Sequence, residues 1–157
     1  MDKLRTVRRT RSASVVAWIR LARVYQRIDR ASSQHLRGWS LSVAQFDVLA
    51  HVGTEGGTTQ QELARALLVT KGNVCQLLDR LEQRGLLRRR EEGRANRLFL
   101  TPSGRALLDQ VVPAQERFIE SQLGALESSQ QRVLRTMLRT LEHQLARSCP
   151  AASGETP

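Results

Sequence analysis

Apolar residues recur at helical spacing along most of the chain. From Ser14 onward they stand three, four and seven positions apart as far as Leu36, and Gly38 follows. Such a stripe predicts an amphipathic helix, and glycine commonly ends one. A second stripe after Ser42 predicts a helix that ends at Gly53, and Ser42 and Gln45 have the spacing of a capping box at its start. The first part of the chain is therefore predicted to be helical.

Two shorter helices are predicted next. Thr59 and Glu62 have the spacing of a capping box, in which each side chain satisfies a free backbone N–H of the other residue. Thr70 is the expected N-cap of a helix that begins near Lys71 and has Gly85 as its C-cap. The apolar positions of this helix share one face: Val74, Leu77, Leu78 and Leu81.

After Gly85 the spacing changes to a β pattern. Two β-compatible runs, 86–90 and 97–100, flank the turn-rich segment 91–96. They predict a hairpin whose loop is longer than a tight turn. Helix, turn, helix and hairpin in this order are the layout of a winged helix-turn-helix, in which one helix enters the major groove of DNA.

Two more helices are predicted after the hairpin. Thr101 and Pro102 begin the first, because proline costs nothing at the first helical position, and Pro113 is expected to kink it. Ser128 or Ser129 is expected to cap the second. The predicted fold class is mainly α with a small β-wing.

The pattern also predicts the domain organisation. Residues 1–13 form a basic flexible arm, 14–148 a single domain, and 149–157 a disordered tail. Within the domain, 42–101 is the predicted winged helix-turn-helix.

The charge indicates a polyanionic partner. The 157 residues include 25 Lys and Arg against 15 Asp and Glu, a net charge of +10, and the pI is about 11.3. A small basic domain of this kind fits nucleic acid or an anionic membrane surface, although an arginine-rich proteome would give the same excess. Residues 59–97 hold nine basic and five acidic side chains, whereas residues 1–30 hold nine and two. Much of the excess therefore lies outside the predicted winged helix.

Other classes of function have little support in the sequence. Cys75 and Cys149 are far apart, which fits a reducing cytoplasm better than a disulfide framework. No apolar run approaches the ~18 residues of a membrane span, and the basic start is not followed by the apolar stretch of a signal peptide. The three histidines have no paired ligand spacing, and no nucleophile motif, phosphate loop or carboxylate pair stands out. We expect a cytoplasmic protein that is not an enzyme, with no metal, cofactor or membrane.

The helix after Thr70 has the residues that a DNA-reading helix needs. Asn73 and Gln76, on its outer leading end, can each donate and accept hydrogen bonds at adenine edges. Lys71 and the free N–H groups of the helix start suit phosphates. Glycine costs ~1 kcal/mol relative to alanine in a helix, so Gly72 is explained if DNA comes close there. The alternative is a plain amphipathic helix with a solvated polar face.

Arginines cluster on the predicted hairpin: Arg88, Arg89, Arg90, Arg94 and Arg97. An arginine on a thin β-loop suits the narrow minor groove, where the negative potential is concentrated. Glu91 and Glu92 neutralise part of this charge, so the alternative is a solvated, charged hairpin.

Two stretches carry a resemblance to a known family. They read LSVAQFDVLAHV and, from Thr59, TQQELARALLVTKGNVCQLLDRLEQRGLLRRREEGRANRLFLTPSGRALL. In order, they resemble the second helix, the helix-turn-helix, the wing and the Leu-Thr-x-x-Gly junction of the MarR family of bacterial transcriptional regulators. The resemblance covers about residues 14–147.

The resemblance implies a homodimer whose interface is formed by the helices at 14–37 and 102–148. Each subunit would place its recognition helix in a major groove, and its wing in the flanking minor groove, of a pseudo-palindromic double-stranded promoter site. Such regulators mostly repress transcription and respond to a small ligand or to oxidation. The alternatives are a winged-helix protein-interaction or ligand-binding module without specific DNA binding, and a nonspecific binder driven by charge.

Two departures from the family pattern qualify the resemblance. Where the wing of the family often carries Asp-Arg-Arg, this chain has Glu92, Gly93 and Arg94, so Gly93 offers only backbone contacts. Peroxide-sensing members resemble one another in a cysteine near the first helix, whereas the first cysteine here is Cys75. Cys75 is therefore expected to be a small residue near the DNA rather than a redox switch.

The resemblance and the residue chemistry together define the expected sites. The expected DNA-contacting residues are Thr59, Gln60, Thr70, Lys71, Gly72, Asn73, Cys75, Gln76, Arg80, Arg90 and Arg94. The small-molecule effector would lie between the dimerisation helices and the DNA-binding lobe. Its candidate lining residues are Trp18, His35, Trp39 and Asp47.

Overall fold

The computed structural model describes residues 12–67, 70–93 and 95–148. The chain divides into two compact units between Ile119 and Glu120. Of the predicted arm, only Ser12 and Ala13 are described, and the predicted tail at 149–157 lies outside the described residues, as does Arg94.

Six α-helices and one hairpin make up the described structure. In chain order these are α1 (Ala13–Leu36), a 3-10 turn (Arg37–Trp39), α2 (Val43–Glu55), α3 (Gln60–Ala66), α4 (Lys71–Gln83), β1 (Leu87–Glu92), β2 (Ala95–Leu100), α5 (Pro102–Gln122) and α6 (Ser128–Ser148). The mainly α fold with a β-wing is confirmed, and none of the described helices is long and apolar enough to cross a membrane.

The helix starts follow the predicted caps. Both capping boxes form, at Ser42–Gln45 and at Thr59–Glu62. The Thr70 hydroxyl accepts from the backbone N–H of Asn73 at 3.3 Å. These contacts span only three residues, so the sequence alone can predict them.

The predicted end of α2 at Gly53 is wrong. The helix continues to Glu55 and is capped by Gly56. A Cβ at position 53 would lie 2.4 Å from the Leu108 Cδ2 atom of α5. Gly53 therefore lets α5 pack closely against α2 and does not end the helix.

Two further helix ends differ from the prediction in detail. The C-cap of α4 is Arg84, and Gly85 follows it with a positive φ of 67°. Neither predicted serine caps α6, because the helix already begins at Ser128. The backbone N–H of the preceding Glu127 donates instead to the side chain of Gln130 at 2.9 Å.

The hairpin loop is shorter than predicted. The strands pair antiparallel from Leu87–Leu100 to Glu92–Ala95, so only positions 93 and 94 separate the last pair. Gly93 has a φ of 66°, which two-residue hairpin turns require. The strands extend through Glu91 and Glu92, whose side chains are exposed, although glutamate is a weak strand former.

The core is aliphatic and lies in the first unit. Its buried members come from α1, α2, α3, α4, the hairpin and α5: Leu36, Leu41, Val48, Leu49, Val52, Leu63, Val74, Leu78, Leu81, Leu86, Leu87, Leu98, Leu108 and Val111. The first half of α1 and the whole of α6 contribute none of these side chains. The winged helix therefore shares one core with the end of α1 and with α5.

Candidate nucleic-acid interface

Helix α4 is held by one face and presents the other. Val74, Leu78 and Leu81 are fully buried, as the predicted stripe requires, and Leu77 is half-buried. The opposite side carries a row of exposed residues: Gly72, Asn73, Gln76 and Arg80. No atom of the described residues lies within 4 Å of a Cβ built at position 72, so the protein itself does not demand glycine there. The side chain of Lys71 lies outside the description.

The two threonines that were predicted to contact DNA, Thr59 and Thr70, form hydrogen bonds at the starts of helices. The Thr59 hydroxyl accepts from the backbone N–H of Glu62 at 3.2 Å and donates to its carboxylate at 2.8 Å. Hydrogen bonds from the backbone and side chain of Thr59 lower the pKa of Glu62. Thr70 caps α4 and is exposed. Both residues therefore fix the N-termini of α3 and α4, whose free N–H groups are natural phosphate ligands.

Gln60 and Cys75, both predicted to contact DNA, contact each other. The Gln60 carboxamide donates to the Cys75 thiol, and both side chains are half-buried. This contact joins the first turn of α3 to the first turns of α4. It leaves less of either side chain available to DNA than the sequence pattern indicated.

The hairpin is tied to the start of α3. The backbone N–H of Gly57 donates to the Leu98 carbonyl at 3.1 Å, and that of Leu98 donates to the Thr58 carbonyl at 2.9 Å. The Arg97 guanidinium donates to the Gly57 carbonyl at 2.7 Å and pairs with Glu92 at 3.1 Å. Arg97 therefore serves the structure of the wing.

Arg89 is also bound internally. Its guanidinium pairs with Asp79 at 2.6 Å and with Glu82 at 2.5 Å, both on α4. Burial alone would lower the pKa of Arg89, but the hydrogen bond with Asp79 and the charges of Glu82 and Asp79 raise it above its usual value. The sequence pattern grouped Arg89 with the DNA-facing arginines and missed this role.

The remaining described arginines of the hairpin point outward. The Arg90 side chain is 68% exposed and lies 3.9 Å from Glu92. Arg88 is exposed, with its guanidinium carbon 6.0 Å from the centre of the Phe99 ring. Arg94, the arginine expected at the wing tip, lies outside the described residues.

A close contact fixes the hairpin to α5. The Thr101 hydroxyl donates to the Gly85 carbonyl at 2.6 Å and accepts from the Gly104 N–H at 3.0 Å. A Cβ at position 104 would lie 1.9 Å from the Leu86 carbonyl oxygen, so only glycine fits. This is the Leu-Thr-x-x-Gly junction of the sequence, and its glycine permits the approach of two backbones.

The predicted effector residues do not form one cluster within the chain. His35 and Trp39 lie together, with ring centres 5.3 Å apart, and the Phe118 ring stacks on His35 at 4.6 Å. Trp18 lies seventeen residues before His35 on the same helix, about 25 Å away along its axis. Its side chain is 67% exposed.

Buried polar side chains beside His35 were missed by the sequence reasoning. The Gln115 amide donates to the Ser32 hydroxyl at 3.2 Å, and both residues are buried. Among the described residues, the only buried side-chain polar atoms without a partner are His35 Nε2 and Gln115 Oε1. Gln115 lies on the buried stripe of α5, four positions after Val111. A polar residue on an apolar stripe is the sequence feature that could have indicated a buried polar site here.

Asp47 lies in a separate place. It borders an open depression of about 340 Å³ lined by Asp47, Ala50, His51, Thr54, Glu55 and Leu67. Burial of the carboxylate and the nearby charge of Asp29 raise the pKa of Asp47. No three His, Cys, Asp or Glu side chains in the described part of the chain stand close enough to hold a metal ion.

The sequence is similar to known transcriptional regulators. A family model described as MarR family matches residues 39–97. An uncharacterized HTH-type transcriptional regulator of Bacillus cereus is 36% identical over 104 residues, which are 66% of this chain and 71% of that protein.

The fold is similar to solved structures of such regulators. A structure of Bordetella bronchiseptica BpsR, described as showing how 6-hydroxynicotinic acid regulates its DNA binding, has a TM-score of 0.75 at 28% identity. The match covers 80% of this chain and 98% of that one. A mutant E. coli MarR in complex with operator DNA has a TM-score of 0.74 at 25% identity, and the match covers 82% of this chain and 95% of that one.

Proposed function

The chain belongs to the MarR family, and we propose that it is a ligand-responsive transcriptional repressor that binds a pseudo-palindromic promoter site as a homodimer. The observation that carries the proposal is the exposed polar row on α4, whose opposite face is fully buried. A helix held in this way can enter the major groove without losing its packing.

The exposed row supports a division of roles. Asn73 and Gln76 read base edges, because each amide can donate and accept at adenine. Gly72 admits a close approach of the DNA backbone. Arg80 and Lys71 bind phosphates, as do the free N–H groups that follow Thr70.

The wing supplies the minor-groove contacts. Arg90 is an exposed arginine on β1 that is available for this role, and Arg94 is the proposed tip residue. Arginine suits a narrow minor groove because the negative potential is highest there. Thr59 acts mainly by capping α3, and Gln60 and Cys75 act mainly by joining α3 to α4.

Exposed apolar side chains support the homodimer. They occur on α1 and on α6: Val15, Val16, Trp18, Leu21, Val24, Tyr25, Val133, Met137, Leu138, Leu141 and Leu145. Apolar stripes of this length on a protein surface indicate contact with another protein surface. A two-fold dimer would also match the symmetry of a palindromic site.

A small-molecule effector is proposed on the precedent of BpsR, whose DNA binding is regulated by 6-hydroxynicotinic acid. The pair His35 and Trp39 is the candidate for contact with such a molecule. We place the protein in the cytoplasm, where the DNA is, and assign it no enzymatic activity.

The test is a salt-titrated gel-shift assay with DNA from upstream of the chain's own gene. Gln76→Ala should relax sequence preference at a cost of about 1–3 kcal/mol, and Arg94→Ala should weaken binding to many sequences and flatten the salt dependence. Gln83→Ala, at the far end of α4, and Arg117→Ala, on α5, are matched controls because both side chains are exposed.

Three results would count against the proposal. Wild-type binding by both the Gln76 and the Arg94 variants would contradict the docking. Failure of the wild type to bind any upstream DNA would favour a protein-interaction module. A steep salt slope without a preference for the promoter would favour a nonspecific binder.

A further inference from the structure

Arg89 is joined to α4 by three hydrogen bonds. Its guanidinium donates to the Asp79 carboxylate at 2.6 Å and to one Glu82 oxygen at 2.5 Å. Its backbone N–H donates to the other Glu82 oxygen at 3.1 Å. One residue of β1 therefore holds two carboxylates of α4 in fixed positions.

Asp79 lies on the face of the proposed DNA-reading row, and Glu82 lies one turn further along the helix. Asp79 follows Gln76 by three positions and Gly72 by seven, so all three share one face of the helix. The side chains of Asp79 and Glu82 are 55% and 38% exposed. Without a counter-charge, both carboxylates would repel phosphates beside the recognition helix.

Arg89 itself is poorly placed to contact DNA. Its side chain is only 24% exposed, whereas that of Arg90 is 68% exposed. A guanidinium has five N–H donors in a planar fork, and those of Arg89 already serve two carboxylates. The neighbouring arginines on the strand differ from it in this respect.

We propose that Arg89 is a positioning residue that shields the Asp79 and Glu82 carboxylates from the DNA backbone and so sets the charge of the reading face. This inference rests on the proposed function. Arg89 raises the affinity for DNA without contacting it. Its positive charge offsets two acidic side chains of the recognition helix, which would otherwise repel the phosphates.

The first test compares the affinity of four proteins for the promoter DNA. Arg89→Ala should lower affinity about tenfold at low salt, and less at high salt where charges are screened. Adding Asp79→Asn and Glu82→Gln to Arg89→Ala should restore most of the loss. Arg88→Ala is the matched control, because it removes one positive charge from the adjacent exposed position of β1.

Two outcomes would overturn the inference. One is a triple variant that binds no better than Arg89→Ala, because Arg89 would then act only by holding the hairpin. The other is an equal loss of DNA affinity in Arg88→Ala, because the loss in Arg89→Ala would then reflect only the change in net charge. A wild type that binds no promoter DNA would instead contradict the proposed function.

A second variant keeps the inference falsifiable if Arg89→Ala does not fold. Asp79→Asn with Glu82→Gln, in a chain that retains Arg89, removes the repulsive charges directly. The amide oxygen that Glu82→Gln introduces can still accept a hydrogen bond from the backbone N–H of Arg89. This variant should bind DNA at least as tightly as the wild type, with a steeper salt slope. Weaker binding with an unchanged melting temperature would overturn the shielding role.

Discussion

Helices α4 and α6 have the same kind of sequence pattern and opposite environments. Both carry apolar residues along one face and polar residues along the other. In α4 the stripe of Val74, Leu78 and Leu81 is fully buried within its own chain. In α6 the stripe of Val133, Met137, Leu141 and Leu145 is 53–65% exposed.

Amphipathicity fixes which face of a helix is apolar, but it does not fix what that face packs against. The buried stripe of α4 faces a core that the first unit supplies, so this helix can hold polar residues toward a ligand. In a single chain the apolar stripe of α6 is exposed to solvent. Burying this stripe against another chain would remove a large apolar surface from water. We therefore expect the apolar stripe of α4 to be buried when one chain folds, and that of α6 to be buried only when two chains associate.

The largest effect is expected from breaking the α6 stripe. Leu141→Glu places a charge in the proposed dimer contact, so the protein should become monomeric and lose promoter binding. Sedimentation velocity and a gel-shift assay measure the two losses. Thr136→Glu adds the same charge on the opposite, polar face and should remain dimeric. A dimer that persists in Leu141→Glu would show that α6 is not the interface.

A smaller effect is expected from the buried stripe of α4. Leu78→Ala should lower the free energy of unfolding by about 2–5 kcal/mol, because it leaves a cavity in the core. Thermal melts at several protein concentrations should show the same loss at each one. Leu141→Ala should instead give a loss that depends on concentration. If the loss of thermal stability depended on protein concentration in the same way in both variants, the two stripes would not differ in what buries them.

The exposed face of α4 gives the next effect in size. Gly72→Ala should leave the protein as stable as the wild type or more so, by up to about 1 kcal/mol, since alanine favours helix and no other described segment comes within 4 Å of the added methyl group. Promoter affinity should nevertheless fall, because the added methyl group meets DNA. A melt and a binding titration on the same sample separate the two. Unchanged affinity would indicate that position 72 stays clear of DNA.

The smallest effect concerns the surface of α2. The pKa of Asp47 is raised, so its ionised form is less favourable in the folded chain than in the unfolded one. This cost is absent below the unfolded pKa and develops as the pH rises through the raised value. Asp47→Asn should therefore raise the melting temperature slightly at pH 7 and leave it unchanged near pH 3. A stabilisation that persists at low pH would point to packing.

Local features were predictable because their contacts are short in sequence. The caps at Ser42, Thr59 and Thr70 join residues three positions apart, and each was predicted correctly. The apolar stripe of α4 was also correct, because helical periodicity fixes which residues share a face. The exposed row with Asn73 and Gln76 follows from the same periodicity.

Errors had two sources. Gly53 was predicted to end α2, but the distant residue Leu108 on α5 demands the small residue there, so a tertiary contact outweighed a local preference. The hairpin loop was predicted too long because Glu91 and Glu92 favour strands poorly, yet they pair with Asn96 and Ala95. There the pairing of two neighbouring strands outweighed the propensity of single residues.

Local patterns in the chain were enough to predict the helices, the hairpin, the amphipathic faces and the family, and the excess of positive charge follows from the composition. The separate roles of the hairpin arginines depend on tertiary packing: Arg89 and Arg97 bind within the protein, whereas Arg90 faces solvent. Backbone hydrogen bonds and helical periodicity join residues a few positions apart, whereas a long charged side chain pairs with whatever the packing of other segments brings within its reach.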